Sequence, residues 1–195
     1  MRIFFFYSLA LLLTAISNCQ ATMPELPFQC SPTSEIFSQD PEPARFYHTN
    51  NLRRIVGSAL TAPGTPILIR GRLLDSKCIP IANATIELWQ ADKNGHFVHT
   101  DKLLHSGEFV GAGTASTDNM GRFQFLSVMP GSVKEKMPHV NIRVRLSELD
   151  ELETVAYLGS GTSKGAHVRS SGETEVGKAY DIIITMDEHN SYRRY

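Results

Sequence analysis

At 195 residues with 42% hydrophobic side chains, the chain is long enough to bury one core and too short to build several. Its 19 Lys and Arg against 20 Asp and Glu leave a formal net charge of −1, which excludes the basic bias of a dedicated nucleic-acid binder. One folded domain is expected.

The first element is a targeting segment. Arg2 supplies a positive start, and Ile3 to Ile16 is an apolar run of signal-peptide length, shorter than a membrane-spanning helix needs. Residues 1–18 are therefore expected to leave the mature protein. Ile16-Ser-Asn-Cys19 also resembles a bacterial lipobox, which would make Cys19 the acylated first residue and place the protein as a periplasmic or outer-membrane-anchored lipoprotein. Soluble secretion is the alternative. With a lipid on Cys19, mature protein partitions into detergent, and Cys19→Ser releases it or leaves it unprocessed; processed protein found wholly in the soluble fraction contradicts the anchor. Once Cys19 is set apart, Cys30 and Cys78 form an even pair in an oxidising compartment, where a disulfide tying the N-terminal segment to the domain is expected.

Residues 19–58 read as an irregular arm, because Pro24, Pro27, Pro32, Pro41 and Pro43 interrupt each apolar stretch. A short helix around Ser34–Phe37 is one reading of its middle. The other is an arm packed onto the domain through Phe28, Phe37, Phe46 and Tyr47, since a free tether has little use for so many aromatics.

From residue 59 to 186 the pattern has a period of two. Ile67–Leu74, Thr85–Gln90, Arg122–Leu126, Val140–Leu146, Thr154–Leu158 and Tyr180–Met186 are short β-rich runs bounded by turn formers. Without an amphipathic helix among them, these strands predict an all-β sandwich. Alternation places Phe123 and Phe125 inward with Arg122 and Gln124 outward, and Gly121 is suited to a positive φ in the turn that precedes them. Residues 187–195 read as a polar tail.

Across this region runs an ordered series of motifs: Gly71-Arg-Leu-Leu-Asp75, Cys78-Ile-Pro-Ile-Ala-Asn-Ala84, Glu87-Leu-Trp-Gln-Ala-Asp92 with Gly95, Thr117-Asp with Gly121-Arg-Phe123, Val128-Met-Pro-Gly131, Pro138-His139 and Tyr157-Leu-Gly159. In order and spacing the series resembles the intradiol ring-cleavage dioxygenases, such as protocatechuate 3,4-dioxygenase. The resemblance spans about Pro66 to Met186 and implies a β-sandwich of that family's core type. It also implies a non-haem Fe(III) held by two tyrosines and two histidines, because a hard cation is matched by phenolates and neutral imidazoles.

Most of those ligand positions are altered here. Phe97 stands where the first tyrosine is expected and Val133 at or next to the second, while the histidine pair reads His139-Val-Asn141. His139 alone matches as a metal ligand. Lys136 replaces a family arginine, keeping the charge but not the planar fork. On β-strand alternation His139, Asn141 and Arg143 share one face, with Val140, Ile142 and Val144 toward the core. A replacement metal site from His99, Asp101 and His139, near His96 and His105, is weighed against a solvated loop with incidental histidines. Ser160–Gly165 lacks the pattern of a phosphate-binding loop.

Two functional readings follow. The first is an exported non-catalytic protein that binds a small aromatic, a glycan or a protein partner and carries no cofactor. The second is an oxidoreductase that retains Fe(III) and cleaves catechol-type rings with dioxygen.

Overall fold

The computed structural model describes residues 30–54, 57–98, 109–146, 151–159 and 164–187. The signal segment, Cys19, Phe28, His99, Asp101, His105 and residues 188–195 lie outside them.

Eight strands make up the domain: β1 (Pro66–Leu74), β2 (Thr85–Trp89), β3 (Ala112–Ser116), β4 (Arg122–Val128), β5 (His139–Arg145), β6 (Glu151–Tyr157), β7 (His167–Thr174) and β8 (Gly177–Thr185). They form two four-stranded sheets, in the orders β4-β1-β8-β7 and β3-β2-β5-β6. The expected sandwich is present. Period-two burial explains it: Ile67, Ile69 and Leu73 of β1 and Phe123 and Phe125 of β4 meet Ile86 and Leu88 of β2 and Val140, Ile142 and Val144 of β5 in a shared core. Between the sheets' edges, Tyr47 bridges Gly113 of β3 and Asn51 bridges Leu126 of β4, so the end of the arm closes that side.

Strands β3 and β7 are additions to the sequence expectation. Ala-Gly-Thr-Ala-Ser in β3 has no apolar alternation, and β7 is a largely exposed edge that carries a bulge between Ser170 and Gly172. Gly121 adopts φ 69° in the turn closed by its N–H donating to the Asp118 carbonyl at 2.8 Å.

The arm is docked, and Ser34–Phe37 is not helical. Phe37 is 70% exposed, which corrects the expectation that it packs inward, whereas Phe46 meets Trp89 edge-on at 5.8 Å and Tyr47 packs against the core. Leu52, near the arm's end, is fully buried in the core, and nearer the arm's start the attachment is polar. Thr33 and Ile36 donate backbone hydrogen bonds to the Thr185 and Glu153 carbonyls at 2.9 and 2.8 Å. At its start the arm is held covalently: the expected Cys30–Cys78 disulfide is present, with Cα atoms 5.5 Å apart and a sequence separation of 48. Closing a loop of that size contributes about 4 kcal/mol on the chain-entropy account. Replacing both cysteines with serine should lower the denaturation free energy by a large part of that value, read against unreduced protein in a urea titration.

Candidate functional site

The polar face of β5 faces the arm. His139, Asn141, Arg143 and Arg145 alternate along it, and register pairs each with a neighbour: His139 with Tyr157, Asn141 with Trp89 and Val155, Arg143 with Glu87 and Glu153, Arg145 with Glu151. This face would be wet in an open sandwich. Here His139, Asn141 and Arg143 are buried, because the arm lays Ser38, Asp40 and Glu42 against them.

Asp40 is the centre of the contact. Its Oδ2 lies 2.6 Å from His139 Nε2 and accepts from Asn141 Nδ2 at 3.3 Å, while Lys136 Nζ approaches Oδ1 at 3.5 Å. The Ser38 hydroxyl donates to Asn141 Oδ1 at 2.8 Å, which fixes the orientation of the amide. His139 Nδ1 sits 2.7 Å from the Met137 carbonyl, which can only accept, so that nitrogen carries a proton. Nε2 faces the Asp40 carboxyl, which closes a buried imidazole–carboxyl pair. Burial opposes the Asp40 charge, but the His139 hydrogen bond and charge, the Asn141 hydrogen bond and the Lys136 charge outweigh it and hold the carboxyl below its ordinary range.

Beside this clasp lies a second ionic group. Arg143 pairs with Glu42 at 2.7 Å, Glu153 at 3.0 Å, Glu151 at 3.3 Å and Glu87 at 3.4 Å, and its guanidinium lies 5.3 Å from the Trp89 ring centroid. Burial disfavours its charge, yet the hydrogen bonds to Glu42 and Glu153 and their charges raise its pKa further. Glu87 shows the opposite balance. Burial pushes its carboxyl up, and Arg145 and Arg143 offset only part of that. A folded-state pKa raised in this way destabilises the charged form above the ordinary glutamate range, so Glu87→Gln should be tolerated at neutral pH, within about 1 kcal/mol of the parent. Thermal melts at pH 7 read this directly.

The two positions expected to hold tyrosinates both lie within the described residues. Phe97 follows the Asp92–Gly95 turn and lines a small void with Pro41, Pro43 and Trp89. Val133 is buried in a turn whose Lys134 and Glu135 take φ of 46° and 67°, a left-handed pair that returns the chain to Lys136. The two loops meet backbone to backbone: Gly131 N–H donates to the Asp92 carbonyl at 2.8 Å, and a Cβ on Gly131 would lie 2.5 Å from the Gly95 nitrogen. Neither Phe97 nor Val133 carries a side-chain oxygen or nitrogen.

A ferric ion does not fit these residues. Phe97 and Val133 offer no donor atom, Asn141 spends its amide on Ser38 and Asp40, and both His139 nitrogens are engaged, by the Met137 carbonyl and the Asp40 carboxyl. No group of three His, Cys, Asp or Glu able to hold a metal exists among the described residues. His96 is largely exposed and near Asp92 at 4.0 Å, and the other members of the suggested replacement site lie outside the described residues.

Sequence reasoning missed Asp40 and Tyr157, whose ring stands 5.6 Å from that of His139. A signal for Asp40 was available. Ser38, Asp40 and Glu42 alternate in a proline-stiffened stretch, matching the alternation of His139, Asn141 and Arg143.

Comparison with known proteins places this geometry. A family model described as "Dioxygenase" matches residues 43–146. A Rickettsia conorii protein whose dioxygenase name is itself provisional is 35% identical over 97% of this chain and 91% of its own length. Among solved structures, the dioxygenase domain of a dioxygenase and carbohydrate-binding protein fusion from Streptomyces sp. SirexAA-E superposes with a TM-score of 0.64 at 20% identity, covering 80% of this chain and 99% of that one. An intradiol ring-cleavage dioxygenase from Tetranychus urticae gives a TM-score of 0.61 at 14% identity, covering 85% and 98%. At such identities the structures speak to the fold.

Proposed function

The chain belongs to the intradiol ring-cleavage dioxygenase family, and from that premise we propose that it is an exported, non-catalytic member that acts as a binding module. The observation that carries this reading is the Asp40 clasp. A carboxylate supplied by the arm pairs with the one remaining ligand histidine, so the positions that hold iron in the family hold the arm instead.

Family chemistry needs an exchangeable metal site open to a catechol and to dioxygen. This face has neither the donor set nor the opening, since Asp40, His139 and Asn141 are all buried. Export and a lipid anchor on Cys19 rest on the apolar run before that cysteine. The candidate ligands are a small aromatic, a glycan or a protein. An oxygen electrode gives the test: the exported protein should consume no oxygen with catechol or protocatechuate above a protein-free control. Steady uptake with either, abolished by His139→Ala, would establish the oxidoreductase reading.

A further inference from the structure

If the arm seals the family site, a binding module must use another surface, and the opposite sheet offers one. An open groove of about 860 Å³ crosses the outside of the molecule, lined in turn by β3, the His48–Asn50 segment, β4, β1 and β8. Its floor carries guanidinium groups on neighbouring rungs. Arg72 of β1 stands directly opposite Arg122 of β4, and Arg70, two residues along β1 on the same face, stands beside Asp181 of β8.

Like charges placed directly across an antiparallel pair are destabilising, so the Arg72–Arg122 rung is maintained against its own electrostatics. Carboxylates within the groove neutralise part of the charge: Asp181 pairs with Arg70 at 2.7 Å and Asp118 with Arg122 at 2.8 Å. Arg72 pairs with no carboxylate among the described residues and donates to the Met120 carbonyl at 3.3 Å. Arg169 of β7, exposed and opposite Asp181, extends the positive surface beyond the groove.

We propose that this groove binds an acidic oligosaccharide through its sugar carboxylates, with Arg72 and Arg122 as the principal contacts and Arg70 as a neighbouring one; this rests on the binding-module reading. Three features select that ligand class. Two of the guanidinia, Arg70 and Arg122, already hold carboxylates, at Asp181 and Asp118, and their side chains remain 45% and 69% exposed while doing so. Strands about 4.8 Å apart and residues two apart on β1 space the charges at about 5 to 7 Å, which suits a chain bearing one carboxylate per repeat better than a single small anion. Between the charges the lining offers hydroxyl and amide groups, from Thr114, Ser116, Asn50 and Gln124, that match sugar hydroxyls. Nucleic acid is disfavoured because Phe123 is buried, which leaves the His48 imidazole as the one exposed ring among the described lining residues on which a base could stack.

The test is calorimetric titration of the mature full chain with tetragalacturonate, and with maltotetraose as a neutral control. Binding of the acid and not of the neutral sugar is expected. Arg72→Gln should weaken it about tenfold, since a charge-assisted contact is lost. The same variant should melt no lower than the parent, because it relieves the opposition to Arg122, so lost affinity cannot be ascribed to unfolding. Absence of binding by folded protein overturns the groove proposal and leaves the non-catalytic reading intact. Equal binding of a heparin tetrasaccharide or of oligothymidylate also overturns it, by showing undirected polyanion attraction. Oxygen uptake with catechols in the same preparation would count against the non-catalytic reading and not against the groove.

Discussion

Asp40→Ala should be among the most destabilising single substitutions in the arm, with a loss of about 3 kcal/mol. It removes one partner of a buried pair and leaves Lys136, Asn141 and His139 facing a void. The value lies at the lower end for such a break because His139 stays bonded to the Met137 carbonyl through Nδ1. Glu42→Ala is the control. Glu42 also bonds Arg143, but its side chain is 57% exposed and three other carboxylates remain around that guanidinium, so less than about 1 kcal/mol should be lost. Urea denaturation of the two variants side by side separates a clasp from a general attachment of the arm.

The clasp also gives a pH dependence of defined sign. Asp40's carboxyl is held below its ordinary range, so in that range the folded protein binds fewer protons than the unfolded chain. Its contribution is complete above the unfolded aspartate value of about 3.9 and is lost as pH falls through the lower folded value. Parent and Asp40→Asn should therefore converge in stability only on strong acidification. Glu87 works in the other direction and at higher pH, since its raised carboxyl adds stability as pH falls from its folded value toward the ordinary glutamate value. Following the difference between Asp40→Asn and parent isolates the Asp40 contribution from that background.

The second large effect concerns restoration of the family ligands. Phe97→Tyr, Val133→Tyr and Asn141→His together should not produce a coloured iron protein, because Asp40 would still engage His139 Nε2. Adding Asp40→Gly removes that competitor. The fourfold variant should then bind iron measurably, with the absorbance of a tyrosinate-bound ferric ion, whereas the threefold variant should stay colourless. Colour in the threefold variant would mean that the arm yields readily and that the clasp is weak.

Much of this architecture was legible in the sequence, and the reasons for the exceptions are physical. Strands with a buried and an exposed face announce themselves by alternation, as Arg122-Phe-Gln-Phe125 does. β3 carries small residues that the His48–Asn50 segment and Leu52 approach closely, so its sequence records space and not hydrophobic pattern; a Cβ on Gly113 would meet Leu52 at 2.7 Å. The face of β5 was assigned correctly, yet its burial was not foreseen. Polar residues on a strand read as solvated unless the partner that covers them is known. That partner is a stretch about 100 residues earlier, held at this face by ions and hydrogen bonds, with Phe46 and Tyr47 packing as the sequence suggested and Phe37 left exposed.

That Phe97, Val133 and Asn141 stand at positions where the resemblance implies iron ligands was readable in the sequence. The partner of His139 was not. A buried His next to a carboxylate is a long-range pairing that no local spacing encodes, and only the folded arm brings Asp40 to His139.

The central claim is that a carboxylate of the chain itself stands where the family places iron, and metal analysis of protein exported in its natural signal context tests it most directly. Iron should be measured per chain on protein purified without chelators, together with its visible absorbance. The account predicts no stoichiometric iron and a colourless protein, unchanged after incubation with excess ferric or ferrous salt and desalting. One iron per chain with a tyrosinate-to-iron absorption band, lost in His139→Ala, would contradict it.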